Sequence, residues 1–222
     1  PPRVRLGVEV LLDEQVDQIA GKRVGLITNP AGVDSALVPT VDRLARDERF
    51  ELVQLFGPEH GIRGDTDDGV GVSDTVDPTT GVPVYSLYGE TRIPTAQMLA
   101  PIDVLLVDLQ DVGTRVYTFI YTLSYCLEAA AASGTRVLVL DRPNPINGRD
   151  MEGNILEPEW ASFVGRFPMP MRHAMTIGEI AQFFNGQIGG EAALDVIPMQ
   201  GWHRTMWFAD TDLPWVAPSP NM

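Results

Sequence analysis

Four clusters of polar side chains each follow a short apolar run of this 222-residue sequence. They occupy residues 29–32, 57–64, 108–115 and 141–145. The carboxylates, amides and guanidinium groups in these clusters can transfer protons, bind hydroxyl groups or pair with anions. Chance would place one or two such clusters after apolar runs, so four of them indicate a site.

Glu59 is the strongest candidate for proton transfer. It lies between Pro58 and His60-Gly61, residue types that fix a turn and let a ligand approach the backbone. A carboxyl at such a rim can be desolvated until it stays protonated near neutral pH, as a general acid requires. Alternatively, Glu59 caps a helix or pairs with Arg63. His60 could orient Glu59, contact a substrate or be a hydrogen-bonded structural residue.

Three arginines in these clusters could bind a carboxylate through paired N–H donors: Arg63, Arg115 and Arg142. The alternative is an internal ion pair with an acidic residue of the same clusters: Asp108, Asp111 or Asp141. We expect an internal pair for at least one of the arginines. Asp108 and Asp141 end apolar runs, so each could contact a ligand or cap the following turn.

Alternating strands and helices are the elements that would position these clusters. We predict strands at residues 23–28, 51–56, 82–87, 103–108, 136–141 and 194–198, and helices at 9–20, 36–47, 118–132 and 177–188. This order predicts an α/β fold with a doubly wound, mostly parallel Rossmann-like sheet and helices on both faces. The carboxyl ends of parallel strands share one edge, where ligands bind, so the four clusters should meet there.

Local patterns support this assignment. The runs 104–107 and 137–140 are continuously apolar, which is typical of parallel strands covered on both faces. Thr176 and Glu179 form a capping box at the start of the last helix, and Gly189-Gly190 ends it. The stretches 57–83 and 144–176 look irregular, and a loop as long as the first is usually functional.

The composition excludes several classes of function. A formal net charge of −14 argues against a nucleic-acid partner, because no basic stripe is present to neutralise phosphates. Neither a Walker A sequence nor a Gly-x-Gly-x-x-Gly after a strand occurs, and the three histidines are far apart. We therefore expect no nucleotide cofactor and no metal.

The composition does not determine the cellular compartment of the protein. Cys126 is the only cysteine and lies in an apolar helical pattern, so it predicts a buried thiol and no internal disulfide. No apolar stretch is long enough to span a membrane. The chain starts at Pro1 without a methionine, so we expect an extracellular or envelope protein whose export signal was removed; a cytoplasmic location is also compatible.

Several ordered segments resemble one bacterial family, the exo-β-N-acetylmuramidases of the NamZ type, formerly called DUF1343. The matching segments are Leu26-Ile27-Thr28-Asn29-Pro30, Phe56-Gly57-Pro58-Glu59-His60-Gly61-Ile62-Arg63-Gly64, Pro83-Val84-Tyr85-Ser86-Leu87-Tyr88-Gly89, Asp108-Leu109-Gln110-Asp111-Val112-Gly113-Thr114-Arg115-Val116-Tyr117-Thr118, Leu140-Asp141-Arg142-Pro143-Asn144-Pro145 and Pro218-Ser219-Pro220-Asn221-Met222. They cover nearly the whole chain in order. Ala174 departs from the pattern, since the resemblance leads us to expect glycine there.

The resemblance implies a Rossmann-like domain followed by a smaller second domain, with the active site between them. We accordingly expect residues 1–215 to form the Rossmann-like domain and 216–222 to begin a linker to a C-terminal domain that is absent from the chain. The implied activity is release of N-acetylmuramic acid from the non-reducing end of peptidoglycan fragments, either a disaccharide or a muropeptide. No cofactor is implied, and the oligomeric state is left open.

The resemblance also assigns roles. Glu59 matches the family's Pro-Glu-His motif and is expected to be the general acid/base. Asp108 or Asp111 would be the second carboxyl, or would orient the acetamide if the sugar's own carbonyl attacks the anomeric carbon. The expected substrate-binding residues are Asn29, His60, Arg63, Gln110, Arg115, Tyr117, Asp141, Arg142 and Asn144.

One of the arginines would bind the lactyl carboxylate of muramic acid. Two hypotheses compete with this assignment. The chain could be a non-catalytic muropeptide-binding or sensing module, or a different hydrolase on the same fold, because fold does not determine function.

Overall fold

The structure is a computed structural model that describes residues 3–64, 75–89 and 91–219. The strands are β1 (Arg23–Thr28), β2 (Glu51–Gly57), β3 (Thr75–Val76), β4 (Pro83–Ser86), β5 (Val104–Asp108), β6 (Arg136–Leu140), β7 (Glu152–Ile155), β8 (Pro170–Arg172) and β9 (Leu194–Ile197). The α-helices are α1 (Gly7–Glu14), α2 (Thr40–Ala45), α3 (Ala96–Leu99), α4 (Thr118–Ser133) and α5 (Ile177–Gln187). Short 3₁₀ helices cover Val16–Gln18, Pro158–Trp160 and Phe208–Thr211.

The main sheet is doubly wound. Within the described residues its strand order is β3-β4-β2-β1-β5-β6-β9. All neighbouring pairs are parallel except the edge pair β3–β4. From β1 the chain moves outward through β2 to β4 and then returns to the other side of β1 as β5. The strand order therefore reverses between β1 and β5, and their carboxyl ends mark the place where such sheets bind ligands.

Helices cover both faces of this sheet. Leu105 and Val107 of β5 pack in one apolar cluster with residues of α4 and α5, whereas Leu106 packs in the opposite cluster with residues of α1 and α2. The period-two alternation of a strand sends successive side chains to opposite faces, so a continuously apolar strand contributes to both clusters. The predicted fold class is confirmed.

The predicted strands match the observed ones to within one residue at each end, but two helices are shorter than predicted. The 36–47 helix begins only at Thr40, because Asp34 Oδ1 accepts the backbone N–H groups of Ala36 and Val38 in a turn and Pro39 takes the N-cap position. The 9–20 helix ends at Glu14, since Gln15 leaves the helical region with φ −130°.

The stretch 144–176 contains a hairpin that the pattern did not predict. Strands β7 and β8 pair antiparallel there. β7 is exposed along its whole length and carries Gly153 and Asn154, so it lacks the apolar alternation that identifies a strand. Of the stretch 57–83, residues 65–74 lie outside the described part of the chain, as do residues 220–222 of the last matching segment.

Two other local predictions are confirmed. The capping box of Thr176 and Glu179 is present at the start of α5. Cys126 is 1% exposed, and burial raises the pKa of its thiol to about 12. No helix within the described residues combines the length and apolarity needed to cross a bilayer.

Candidate active site

Glu59 lies on a tight turn at the carboxyl end of β2. The backbone N–H of Gly61 donates to the carbonyl oxygen of Pro58 at 3.0 Å, which closes the turn. His60 has φ 70° and Gly61 has φ 73°. A left-handed conformation is natural for glycine but costs energy for histidine, so the backbone next to Glu59 is strained. Strain of this kind concentrates at functional sites.

The Glu59 carboxylate is partly exposed and points to the start of α4. Its Oε2 accepts a hydrogen bond from Thr118 Oγ1 at 2.8 Å, and Thr118 is the first residue of that 16-residue helix. The N-terminus of a helix favours a negative charge nearby. Glu59 is thus held by a side chain at the start of a helix, while Arg63, its alternative partner, donates to Asp42 and Asp77.

Tyr117 is subject to the charges of two carboxylates. The pKa of its phenol is raised to about 12, chiefly by burial; a hydrogen bond with Ser219 opposes the shift, and the negative charges of Asp111 and Glu59 add to it. The charges of both carboxylates therefore reach this hydroxyl group. Tyr117 was expected to bind substrate, and its half-buried hydroxyl group near both charges is compatible with that role.

Ser219 links the turn that carries Glu59 to the start of α4. Its Oγ lies 3.2 Å from Nε2 of His60, and it also hydrogen-bonds to Tyr117. Both His60 and Ser219 are 7% exposed. A chain of hydrogen bonds thus runs from the turn that carries Glu59, through the segment after the last 3₁₀ helix, to the start of α4. Sequence reasoning did not name Ser219 as a site residue, although it lies in a matching segment.

Asp111 is held by a histidine. Its Oδ2 accepts from His173 Nε2 at 3.0 Å and from the backbone N–H of Gly113 at 2.8 Å. The N–H of Met175 donates to Nδ1 of His173 at 3.1 Å, so the ring proton sits on Nε2 and points at Asp111. Asp111 Oδ1 is buried and has no hydrogen-bond partner among the described residues.

Sequence reasoning also missed His173. The sequence did carry a signal, because His173 directly precedes Ala174, where the chain departs from the family pattern. Ala174 takes φ 57°. The left-handed turn expected for a glycine is therefore formed with alanine. This turn follows the histidine that holds Asp111.

Asp108 and Arg142 form an internal ion pair. Arg142 Nε and Nη2 donate to the two carboxylate oxygens of Asp108 at 2.6 and 2.8 Å, and Nη2 also donates to the carbonyl oxygen of Val33. Asp108 is 0% exposed and Arg142 is 4% exposed. The pair ties the end of β5 to the end of β6. This geometry favours a structural role for both residues over the expected catalytic and substrate-binding roles.

The other two arginines are also engaged within the chain. Arg63 pairs with Asp77 and Asp42 and holds the pKa of Asp77 down at about 2. Arg115 Nη1 donates to the carbonyl oxygens of Asn154 and Met169. All three arginines that the sequence singled out thus have internal partners, and the expected carboxylate clamp stays a prediction.

The three amide side chains at this edge connect loops. Asn29 Nδ2 donates to the carbonyl oxygen of Gln110, and Gln110 Nε2 donates to the carbonyl oxygens of Asp111 and Pro143. Asn144 Nδ2 donates to the carbonyl oxygen of Met175. These amides, all nearly buried, join the loops after β1, β5 and β6. The three amides hold these loops together beneath the surface, whereas Glu59, Tyr117 and Thr118 are partly exposed.

Asp141 caps a helix. Its Oδ1 accepts the N–H groups of Gly178, in the first turn of α5, and of Arg142. Burial raises the pKa of this carboxyl to about 6, while the hydrogen bonds from Gly178, Thr176 and Arg142 oppose the shift. The helix-capping alternative thus describes Asp141 better than direct contact with a ligand.

A pocket of about 260 Å³ opens beside the Glu59 turn. It is lined by residues at the ends of β2 and β4 and on the adjoining edge: Gly57, Gly61, Ile62, Arg63, Thr75, Val76, Asp77, Pro78, Val84 and Ser86. Within the described residues no group of three or more metal-ligating side chains is present. The arrangement offers one partly exposed carboxyl, a second carboxyl held by histidine and a tyrosine hydroxyl on which both charges act, a set suited to acid–base chemistry.

Comparison with known proteins shows the family. Residues 24–222 match the family described as "Exo-beta-N-acetylmuramidase NamZ, N-terminal". The chain is 54% identical over 221 residues to the "Peptidoglycan beta-N-acetylmuramidase NamZ" of Bacillus subtilis (strain 168), and the match covers 100% of this chain and 53% of that relative. The chain thus spans about half the length of this curated relative.

Two crystal structures of DUF1343 family proteins from Bacteroides fragilis NCTC 9343 have the same fold. One superposes with a TM-score of 0.91 at 46% identity, covering 98% of this chain and 56% of the other. The second has a TM-score of 0.79 at 33% identity, with 91% and 54% coverage. With matching segments, fold and family model in agreement, the chain belongs to the NamZ exo-β-N-acetylmuramidase family, formerly DUF1343.

Proposed function

We propose that this chain supplies the catalytic acid/base of an exo-acting glycoside hydrolase that releases N-acetylmuramic acid from the non-reducing end of peptidoglycan fragments. The observation that carries the proposal is the placement of Glu59. It is a partly exposed carboxyl on a strained turn, bound by Thr118 at the start of α4 and beside a pocket. The name of the Bacillus subtilis relative supports the substrate class.

Glu59 would act as a general acid in the first step. The protonated carboxyl donates to the glycosidic oxygen as the bond to the anomeric carbon breaks, so the leaving sugar departs as a neutral alcohol. The carboxylate that remains is stabilised by the Thr118 hydroxyl and by the N-terminus of α4. In the second step this carboxylate accepts a proton from the attacking water.

Asp111 is the better candidate for the second group. Asp108 uses both oxygens on Arg142, whereas Asp111 keeps Oδ1 without a partner among the described residues. Asp111 would act either as the second carboxylate or as the acceptor that orients the substrate's acetamide N–H. His173 fixes the Asp111 carboxylate through Oδ2, so either role would begin from a defined orientation.

The substitution Glu59→Gln tests the assignment. Glutamine keeps the size of the side chain and still accepts from Thr118, but it cannot transfer a proton. General acid–base catalysis contributes ~10²–10⁴-fold, so kcat on a natural disaccharide should fall by that order. An aryl muramide with an activated phenol leaving group needs less protonation, so its first step should slow much less.

The assay measures both substrates with the protein in its native length, for wild type, Glu59→Gln and a control, Glu157→Gln, which changes an exposed carboxylate in the 156–169 loop. Melting curves confirm that each variant is folded. Near-normal turnover of the disaccharide by a folded Glu59→Gln protein would remove Glu59 from the role. Binding of muropeptides without turnover by wild type would instead favour the non-catalytic binding module.

We also propose that the protein acts in the cell envelope or outside the cell, because peptidoglycan fragments arise there. Fractionation of cells that produce the native protein tests this: recovery in the envelope or medium supports the proposal, and recovery in the cytosol contradicts it.

A further inference from the structure

An anionic substrate group needs a local cation in a protein with a formal net charge of −14. The three arginines that follow the strands of the carboxyl edge are engaged with partners inside the chain. A substrate carboxylate at this edge would pair best with a cation that has no ion-pair partner among the described residues. Arg92, in the segment between β4 and α3, has the geometry for that task.

Arg92 is exposed and stacked on aromatic rings. Its Cζ lies 3.9 Å from the ring centroid of Phe163 and 5.8 Å from that of Tyr88. Among the described residues no carboxylate lies within ion-pair distance of it. A stacked guanidinium uses its flat face, so the N–H donors along its edge remain available to bind a carboxylate in the guanidinium plane.

Tyr88, one of the two rings under Arg92, follows the strand next to the one that leads to Glu59. Strands β2 and β4 are neighbours, with Gly57 opposite Ser86, and the N–H of Leu87 donates to the carbonyl oxygen of Gly57 at 2.8 Å. Paired strands lie about 4.8 Å apart. Tyr88 comes one residue after Leu87, and Glu59 comes two residues after Gly57. The two chain segments therefore leave the sheet side by side.

The stacking partner is itself anchored on α4. Phe163 stacks on Tyr125 with centroids 6.2 Å apart and planes 9° from parallel, and the guanidinium of Arg166 lies 4.0 Å from the Tyr125 ring. Tyr125 is seven residues beyond Thr118, about 10 Å along the helix axis. Helix α4 thus holds Glu59 through its first residue, Thr118, and holds the stacked rings of Tyr125 and Phe163 under Arg92 two turns later. The cation is oriented before any ligand arrives, which lowers the entropy lost on binding.

We propose that Arg92 is a specificity-determining residue that binds a carboxylate of the substrate. The proposal rests on the proposed function, since it concerns the same site. The carboxylate belongs either to the lactyl group of muramic acid or to a peptide attached through that group. Amide formation with the peptide removes the lactyl charge and leaves only the peptide carboxylates, so the two sources can be separated with defined substrates.

The test uses the native-length protein and three substrates: the peptide-free disaccharide with N-acetylmuramic acid at its non-reducing end, the lactyl methyl ester of that disaccharide, and its peptide-bearing form. The variants are Arg92→Gln, which keeps a flat group over Phe163 without charge, and Arg92→Lys, which keeps the charge without paired donors. Arg149→Gln is the matched control, an exposed arginine of the same edge in the loop after β6.

A lost charge-assisted hydrogen bond predicts a fall of about 10- to 150-fold in kcat/KM on the substrate that carries the recognised carboxylate. Arg92→Gln should lower turnover of the free-acid disaccharide to that of the methyl ester, Arg92→Lys should restore part of it, and Arg149→Gln should leave it unchanged. A loss confined to the peptide-bearing substrate identifies the peptide as the source.

Equal turnover by Arg92→Gln and wild type on all three substrates overturns the proposal. If wild type turns over none of them, the proposed function fails, and calorimetric binding of N-acetylmuramic acid and of its methyl ester decides about Arg92. Tighter binding of the acid by wild type but not by Arg92→Gln supports the proposal, and the same preference in both proteins overturns it.

Discussion

Asp141→Asn should change how the stability of the fold depends on pH. Asp141 is 8% exposed and caps α5, and burial raises the pKa of its carboxyl from the ordinary 3.8 to about 6. In the unfolded chain the proton is released near pH 3.8, whereas the folded protein holds it until about pH 6. The contribution of this group to stability is therefore fully present below pH 3.8 and is lost as pH rises through 6.

The magnitude follows from the size of the shift. A shift of about two pKa units at about 1.4 kcal/mol each corresponds to ~3 kcal/mol between pH 3.5 and pH 7. Asparagine keeps the oxygen that accepts from Gly178 and has no proton to lose. The free energy of unfolding of Asp141→Asn, minus that of wild type, should therefore rise by ~3 kcal/mol over this interval.

Urea unfolding of both proteins at half-unit steps from pH 3.5 to pH 7.5 measures this difference. Subtraction cancels the other titrating groups that the two proteins share. Asp17→Asn, which replaces an exposed carboxylate in the 3₁₀ helix Val16–Gln18, controls for the loss of one negative charge. Parallel curves for Asp141→Asn and wild type would refute the reasoning. A difference that falls with pH would show that the N-terminus of α5 stabilises the carboxylate more than burial destabilises it.

Three further predictions follow from local geometry. Asp108→Asn leaves a buried Arg142 without its charge partner and should cost ~3–5 kcal/mol, a fall in Tm of roughly 6–20 °C; a small shift in Tm with a large loss of turnover would return Asp108 to the catalytic candidates. Leu37→Gly should stabilise the protein by ~0.5–1 kcal/mol, because Leu37 has φ 64° and is 53% exposed, whereas Leu37→Ala should not; equal melting of the two variants contradicts this. Exhaustive chelation should leave turnover unchanged, and loss of turnover with recovery on adding one specific metal contradicts that expectation.

The sequence by itself predicted the strands and the edge at which the polar clusters meet. β-Branched apolar runs identify buried parallel strands without knowledge of their neighbours, and the residues after parallel strands must share an edge. Glu59 could be singled out for the same local reason, since Pro58 and Gly61 flank it in a turn. The confirmed capping box of α5 likewise involves residues only three positions apart.

Only the tertiary structure decided which polar groups are available at that edge. Arg142 looks like a carboxylate-binding residue in the sequence, but it is engaged by Asp108, 34 residues away. His60 meets Ser219 across 159 residues. Such pairings depend on strand order and on the path of the loops, because both partners must be brought within hydrogen-bonding distance by the whole fold. A sequence pattern contains the partners' types but not that distance.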